Sequence, residues 1–193
     1  HRRHSQARLL LGLGLLLMGL DFMKTSMGTL VEQSVPGVFA DYPILFYALG
    51  GLLFTALVQS SSATMMIVLS AIHAGIMPLT TAAAIMAGAN LGTTVTVVMG
   101  SLKGSPDKHR VALAHFIFHL LSSLIGLALL YPILQLITDT LTVQDPMYAV
   151  VLFHSLFNLF AIILFLPFIS PFARWLQNRF ADEDGSGCQF ITK

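Results

Sequence analysis

From Tyr42 to Leu102 the chain carries no Asp, Glu, Lys or Arg. Two more charge-free stretches follow, Val111 to Thr138 and Pro146 to Ala173. About 20 apolar residues carry a helix across the hydrocarbon layer of a bilayer, whereas buried helices of soluble cores use about 10–14. The gaps are therefore membrane-sized. Composition agrees: 55% of the residues are hydrophobic and 10% charged, against about 25% charged in a soluble domain. An ordinary soluble enzyme is excluded. The net charge of +1 gives no electrostatic reason to bind nucleic acid, and the single cysteine, Cys188, rules out an intrachain disulfide or a cysteine metal cluster.

The first apolar run, Leu9 to Val31, follows Arg2, Arg3 and Arg8 as a signal peptide would. It is too long for a signal h-region and has no small-residue cleavage site, so it reads as a spanning helix. Val111–Ile133 and Met147–Ile169 are each about 34 Å long as helix and can span alone. The stretch from 42 to 102 is different, because polar clusters divide it. Ile44–Val58 makes about 22 Å of helix and Met65–Ile76 about 18 Å, both short of a 30 Å core. The economical arrangement is a re-entrant hairpin over 44–75: Ile44–Val58 enters, Gln59-Ser60-Ser61-Ser62 turns at depth, and Ala63–Ala74 returns. The following run, 78–102, is long enough to cross but is interrupted at Gly88–Thr94, which reads as a broken helix. Irregular backbone at membrane depth survives only where protein or a watery cavity satisfies its hydrogen bonds.

Loop charges give the orientation. Lys and Arg cluster at the N-terminus, in Lys103–Arg110, and at Arg174, Arg179 and Lys193; Glu32–Tyr42 and Asp139–Asp145 hold acids only. The positive-inside rule makes the first set cytoplasmic and the second external. The expected fold is thus an all-α integral membrane protein with four crossings (9–31, 78–102, 111–133, 147–169), a re-entrant hairpin and a discontinuous helix, both termini cytoplasmic. Three full crossings between 43 and 102 would give the same parity; helix length favours the hairpin. Residues 174–193 read as an interfacial end, anchored by Trp175, and a tail from Asp182 that is disordered or opens a further segment.

Two neutral polar clusters stand out. Gln59-Ser60-Ser61-Ser62-Ala63-Thr64 places four hydroxyls and an amide in uncharged sequence. At a hairpin tip one of the serines would cap the returning helix, and a helix N-terminus with free N–H groups and hydroxyl donors attracts anions. The plainer alternative is capping and small-residue packing; four polar residues in a row at depth favour a ligand, since desolvating them unpartnered is expensive. In the second cluster, Gly88 and Gly92 permit unwinding, and Asn90, Thr93, Thr94 and freed carbonyls offer the neutral oxygens that a hard cation such as sodium takes. Here the plainer alternative is a G-x-x-x-G packing face.

Together these clusters resemble the type II sodium/phosphate cotransporter family, especially its bacterial members. The likeness extends through Arg110–His119 and His154-Ser155-Leu156-Phe157-Asn158, which are similar to the family's A-x-x-H-x-x-F-N segments, and covers residues 9 to 170. It implies sodium-coupled uptake of inorganic phosphate and a serine-rich phosphate and sodium site; taken with the cluster chemistry, the expectation is alternating access with phosphate at Gln59, Ser60, Ser61, Ser62 and Thr64 and sodium at Gly88, Asn90, Thr93 and Thr94. It also implies two inverted repeats, each with a Q-S-S-S-like motif. This chain has one, and it looks like the second half, so the expected partner in the bilayer is a missing first repeat or a second copy of the chain. His119 stands where the family usually has Asn.

His115 and His119 share a helix face, and His154 with Asn158 repeats the spacing. Imidazoles at i and i+4 can chelate zinc, but no carboxylate or cysteine stands beside them, so gating or hydrogen bonds between helices are the expected roles. Asp21 and Lys24 form an i, i+3 pair that neutralises itself. No nucleophile, base and orienting acid assemble, so neither an enzyme nor a cofactor is expected. The competing readings are a membrane assembly subunit whose polar clusters serve packing, and a transporter of another oxyanion or a metal ion.

Overall fold

The structure is a computed structural model that describes residues 2–33 and 42–180. The described residues are all helix and connecting turns, with no strand among them. In chain order the helices are α1 (Arg2–Gln33), α2 (Ile44–Val58), α3 (Ser61–His73), α4 (Leu79–Gly92), α5 (Thr94–Ser101), α6 (Pro106–Ala128), α7 (Leu130–Gln135), α8 (Pro146–Phe165) and α9 (Ile169–Arg179). Three helical stretches are long and apolar enough to cross a membrane: Leu79–Ser101, Pro106–Ala128 and Pro146–Arg179. The described apolar part of α1, Gln6–Gly19, is shorter. Lys24 of the expected Asp21–Lys24 pair, most of the acidic loop before Tyr42, and the tail beyond Phe180 lie outside the described residues or side chains.

α4 is the centre of the molecule. Its sequence is dominated by Ala, Gly and Thr, and Thr81, Ala82, Ala83, Ala84, Ala87 and Ala89 are buried. Small side chains let helix backbones approach closely, which in a membrane replaces the hydrophobic drive for association. α2 uses this directly. A Cβ on Gly88 would lie 1.8 Å from the Ala48 carbonyl oxygen, one on Gly92 2.6 Å from that of Leu52, and one on Gly51 2.2 Å from that of Ile85. Contacts advance together from Ala48–Gly88 to Leu52–Gly92, so α2 and α4 run parallel. α3 must therefore carry the chain back between them.

On its other faces α4 meets α3, α6 and α8. Val68, Ile72, Met86, Leu130, Leu134, Ile137, Val150, Phe153 and Phe157 fill the space between these helices. α6 and α8 run antiparallel, with Gly126 against the Phe157 ring and Phe118 against Phe165. The outward faces of α1, α2 and α8 are rows of exposed Leu, Ile and Phe, as a lipid-facing surface requires.

Several boundaries differ from the sequence reading, each for a local reason. The expected loop over Lys103–Arg110 is shorter, because Ser105 precedes Pro106 at the first helical position and α6 starts there. The 111–133 run is not one helix: Pro132 has no N–H to give the Ala128 carbonyl, and the chain breaks at Leu129 before α7 and a π-helical turn over Leu136–Thr140. α8 is capped by Asp145, whose side chain accepts from the Met147 N–H at 2.8 Å. It passes at Pro167 through a 3-10 turn, Leu166–Phe168, into α9. The Arg174–Phe180 segment is thus a continuing helix. Its end is fixed to α6: Arg110 donates through Nε to the Phe180 carbonyl at 2.9 Å and pairs with Asp107 at 2.6 Å, while the His109 ring stacks on that of Phe180.

Candidate functional site

The turn between α2 and α3 is built by its own polar side chains. Gln59 ends α2 in the left-handed region, φ 57° and ψ 27°, and its N–H closes on the Thr55 carbonyl at 2.7 Å. This is a C-cap conformation that Gly adopts freely and an L-residue only at a cost. Ser60 is extended and caps α3, its Oγ accepting from the Ala63 N–H at 3.3 Å and lying 3.2 Å from the Ser62 Oγ. Gln59 and Ser62 are exposed, and Ser60 and Ser61 are half-buried. The Thr64 N–H closes on the Ser60 carbonyl at 3.2 Å, which leaves the N–H groups of Ser61 and Ser62 as the α3 amides facing outward from the helix start. The result is a rim of hydroxyls and helix-start N–H groups without a formal charge, a donor set suited to an oxyanion.

Thr64 faces the other way, into the protein. Its Oγ1 donates to the Ser60 carbonyl at 3.2 Å and lies 2.8 Å from the Thr55 Oγ1. A hydroxyl has one proton to give. With the Thr64 proton on the Ser60 carbonyl, Thr55 would donate in the pair, and either way the two hydroxyls are bonded. Thr55 is fully buried, and its Cβ is 2.8 Å from where a side chain on Gly92 would begin. Thr55 therefore joins the two polar clusters: it hydrogen-bonds one and packs on the backbone of the other. The sequence reading did not single it out, and a lone Thr inside an apolar run was the only signal.

The interruption over Gly88–Thr94 is narrower than the sequence suggested. The helix breaks at one residue, Thr93, which itself keeps helical angles, φ −63° and ψ −23°. The carbonyls near the break are not left bare. Thr93 Oγ1 donates to the Asn90 carbonyl and Thr94 Oγ1 to that of Leu91, both at 2.8 Å. Back-bonding of this sort satisfies and bends a helix without unwinding it. Each hydroxyl oxygen keeps its lone pairs for another ligand.

Asn90, on the α6 side, is buried and hydrogen-bonded through both ends of its amide. Its Nδ2 donates to the Ser122 Oγ at 2.7 Å and more weakly to that of Ser123 at 3.4 Å, and its Oδ1 is 3.1 Å from the His119 Nδ1. Ser122 gives its own proton to the His119 carbonyl at 3.1 Å, so it can only accept from Asn90. With Oδ1 on this side, the tautomer of His119 that carries its proton on Nδ1 donates to it.

The His115 ring lies 4.4 Å from that of His119, and its buried Nδ1 has no hydrogen-bond partner. The Nδ1 of His154 on α8 is in the same condition, while Asn158 donates to the His154 carbonyl at 2.8 Å. No group of three or more His, Cys, Asp or Glu suited to a metal occurs among the described residues. A cavity of about 220 Å³ lies between α6 and the α8 region, lined by Phe118, Leu121, Ile125, Ala161, Leu164, Phe165 and Phe168. Its wall is entirely hydrocarbon, so it suits an acyl chain and not an anion.

Comparison with known proteins gives the family. The Na+/Pi-cotransporter family model matches residues 43–161, from the start of α2 into α8. YjbB of Escherichia coli (strain K12), whose name proposes inorganic phosphate export, is 30% identical over 94% of this chain and 34% of its own length. The Salmonella typhimurium protein of that name is 28% identical over the same shares. The uncharacterized protein YqeW of Bacillus subtilis is 35% identical over 66% of this chain and 41% of its own length. The chain thus spans about a third of the length of the YjbB relatives. No solved structure matches it.

Proposed function

The chain belongs to the Na+/Pi-cotransporter family, and on that premise we propose that it forms the ligand-binding repeat of a sodium-coupled phosphate transporter working by alternating access. The observation that carries this reading is Thr55, which ties the serine-rich turn to the Gly92 end of α4, so that the two clusters form one connected unit. Phosphate is taken by Gln59, Ser60, Ser61 and Ser62 with the first amides of α3, and Thr64 holds that turn to Thr55. Sodium is taken by the oxygens of Asn90, Thr93 and Thr94; Gly88, expected to add a freed carbonyl, lies inside the unbroken part of α4 and serves the contact with α2 instead.

Charge explains why the two ions belong together. No Lys or Arg occurs between Tyr42 and Leu102, so hydroxyls and amides alone would have to replace the water around an anion, which is costly. A monovalent cation about 4 Å from a phosphate oxygen contributes about 4 kcal/mol at an effective dielectric of 20, or nearly three decades of affinity. Phosphate binding in such a site depends on the cation.

In this reading α2 and α3 form a re-entrant hairpin, α1, α4–α5, α6–α7 and α8 provide four crossings of the cell inner membrane, and both termini are cytoplasmic. A second, inverted repeat, from another part of the polypeptide or another copy, completes the site. Direction follows the gradients. Uptake is the expectation with an inward sodium gradient; the name of the YjbB relatives favours export, and one site serves both. The test is phosphate flux in proteoliposomes holding the natural polypeptide, with inward, outward and no sodium gradient. Flux that follows the sodium gradient supports coupling. Flux indifferent to sodium removes it, and no phosphate flux at all favours an assembly subunit.

A further inference from the structure

Asn90 has a problem as a cation ligand. Its only side-chain acceptor, Oδ1, has one of its two lone pairs turned to the His119 Nδ1 3.1 Å away. The hydrogen bonds keep the oxygen on this side: Ser122 donates to the His119 carbonyl and accepts from the Asn90 Nδ2. Nor is the contact incidental to packing: Asn90 is buried, only 5% exposed, and a buried carbonyl without a donor is costly. His119 is thus doing what a bound cation would do, supplying positive partial charge to that oxygen.

We propose that His119 is a latch on the cation site, a positioning residue whose Nδ1–H competes with sodium for the Asn90 carbonyl oxygen. The inference rests on the sodium reading above. When the cation arrives, the Asn90 Oδ1 exchanges one donor for another, and the imidazole is released toward His115, whose ring is 4.4 Å away and whose Nδ1 has no partner. The released Nδ1–H then has an acceptor in the ring beside it. Entry of the cation into α4 is in this way coupled to a rearrangement on α6, and the latch lowers sodium affinity by the strength of the bond it gives up.

Two substitutions separate the donor from the bulk of the ring. His119→Phe keeps a ring and removes the donor. His119→Asn places an amide nitrogen where Nδ1 stands, since both are attached to the γ carbon. The experiment is the sodium dependence of phosphate flux in proteoliposomes of the natural polypeptide. In His119→Phe the half-saturating sodium concentration falls about five- to tenfold, the worth of one hydrogen bond, and in His119→Asn it stays at the wild-type value. An unchanged value in His119→Phe, or an equal fall in both variants, overturns the latch. If His119→Phe does not fold, the wild-type protein decides. The hydrogen-bonded Nδ1–H resonance of ¹⁵N-histidine-labelled protein shifts on adding sodium, as its acceptor changes from an amide oxygen to a ring nitrogen, and stays in place in potassium; a resonance that moves in neither overturns the proposal. Failure of the sodium reading is seen separately, as wild-type flux that ignores sodium.

Discussion

Gly88→Ala is the sharpest test of the packing that holds the two polar clusters together. The new methyl carbon would start 1.8 Å from the Ala48 carbonyl oxygen, and ordinary contact begins at 3.4 Å, so α2 and α4 must part by about 1.6 Å. The obstacle is backbone and has no rotamer in which to escape. Overpacking of this kind costs about 3 kcal/mol at the upper end of its usual range, against which the better helix propensity of Ala returns about 1 kcal/mol. The net loss is about 2 kcal/mol. Gly50 provides the control: nothing lies within 4 Å of its Cβ position, so Gly50→Ala keeps the propensity gain of about 1 kcal/mol. The two variants therefore differ by about 3 kcal/mol in denaturant unfolding in mixed micelles, and phosphate flux falls in Gly88→Ala alone. Equal stability of the two would refute the parallel α2–α4 contact and the account of the site built on it.

Three further outcomes follow from the hydrogen bonds. Thr55→Val keeps the shape but leaves Thr64 without its hydroxyl partner, lowering stability by about 1 kcal/mol; phosphate flux falls with it, and full flux would detach Thr55 from the site. Gln59→Gly relieves the left-handed backbone and stabilises the turn by about 1 kcal/mol, while loss of the amide weakens phosphate binding. The two effects are read separately by unfolding and by the half-saturating phosphate concentration. Arg110→Ala cuts the tie between α6 and the Phe180 carbonyl; amide hydrogen exchange should rise over residues 169–180 and stay unchanged in α4.

The sequence made the helical, membrane-embedded character legible because charge is so costly in hydrocarbon that its absence marks the buried stretches. It also made a turn at Gln59 legible, since a polar run between two short apolar helices has few other uses, although α3 starts at Ser61, two residues before the expected Ala63, because Ser60 caps it. What it concealed depended on distance in the chain. Asn90 meets Ser122 and His119 across two helices, and no local spacing announces that His119 fills the Asn90 carbonyl. The Gly88–Thr94 cluster suggested an unwound segment because Gly and Thr are poor helix formers, yet the hydroxyls of Thr93 and Thr94 bond back within the helix and hold it nearly continuous. Thr55 was hidden because one hydroxyl among apolar residues has no pattern.

The central claim is that the serine-rich turn binds phosphate with the help of a cation held beside it. Equilibrium binding of radiolabelled phosphate to the purified natural polypeptide tests it most directly, in sodium and in potassium, for the wild type and for Ser61→Ala. The account predicts binding in sodium that weakens at least about tenfold in potassium and at least about fivefold in Ser61→Ala. Equal affinity in both salts and in both proteins would contradict it.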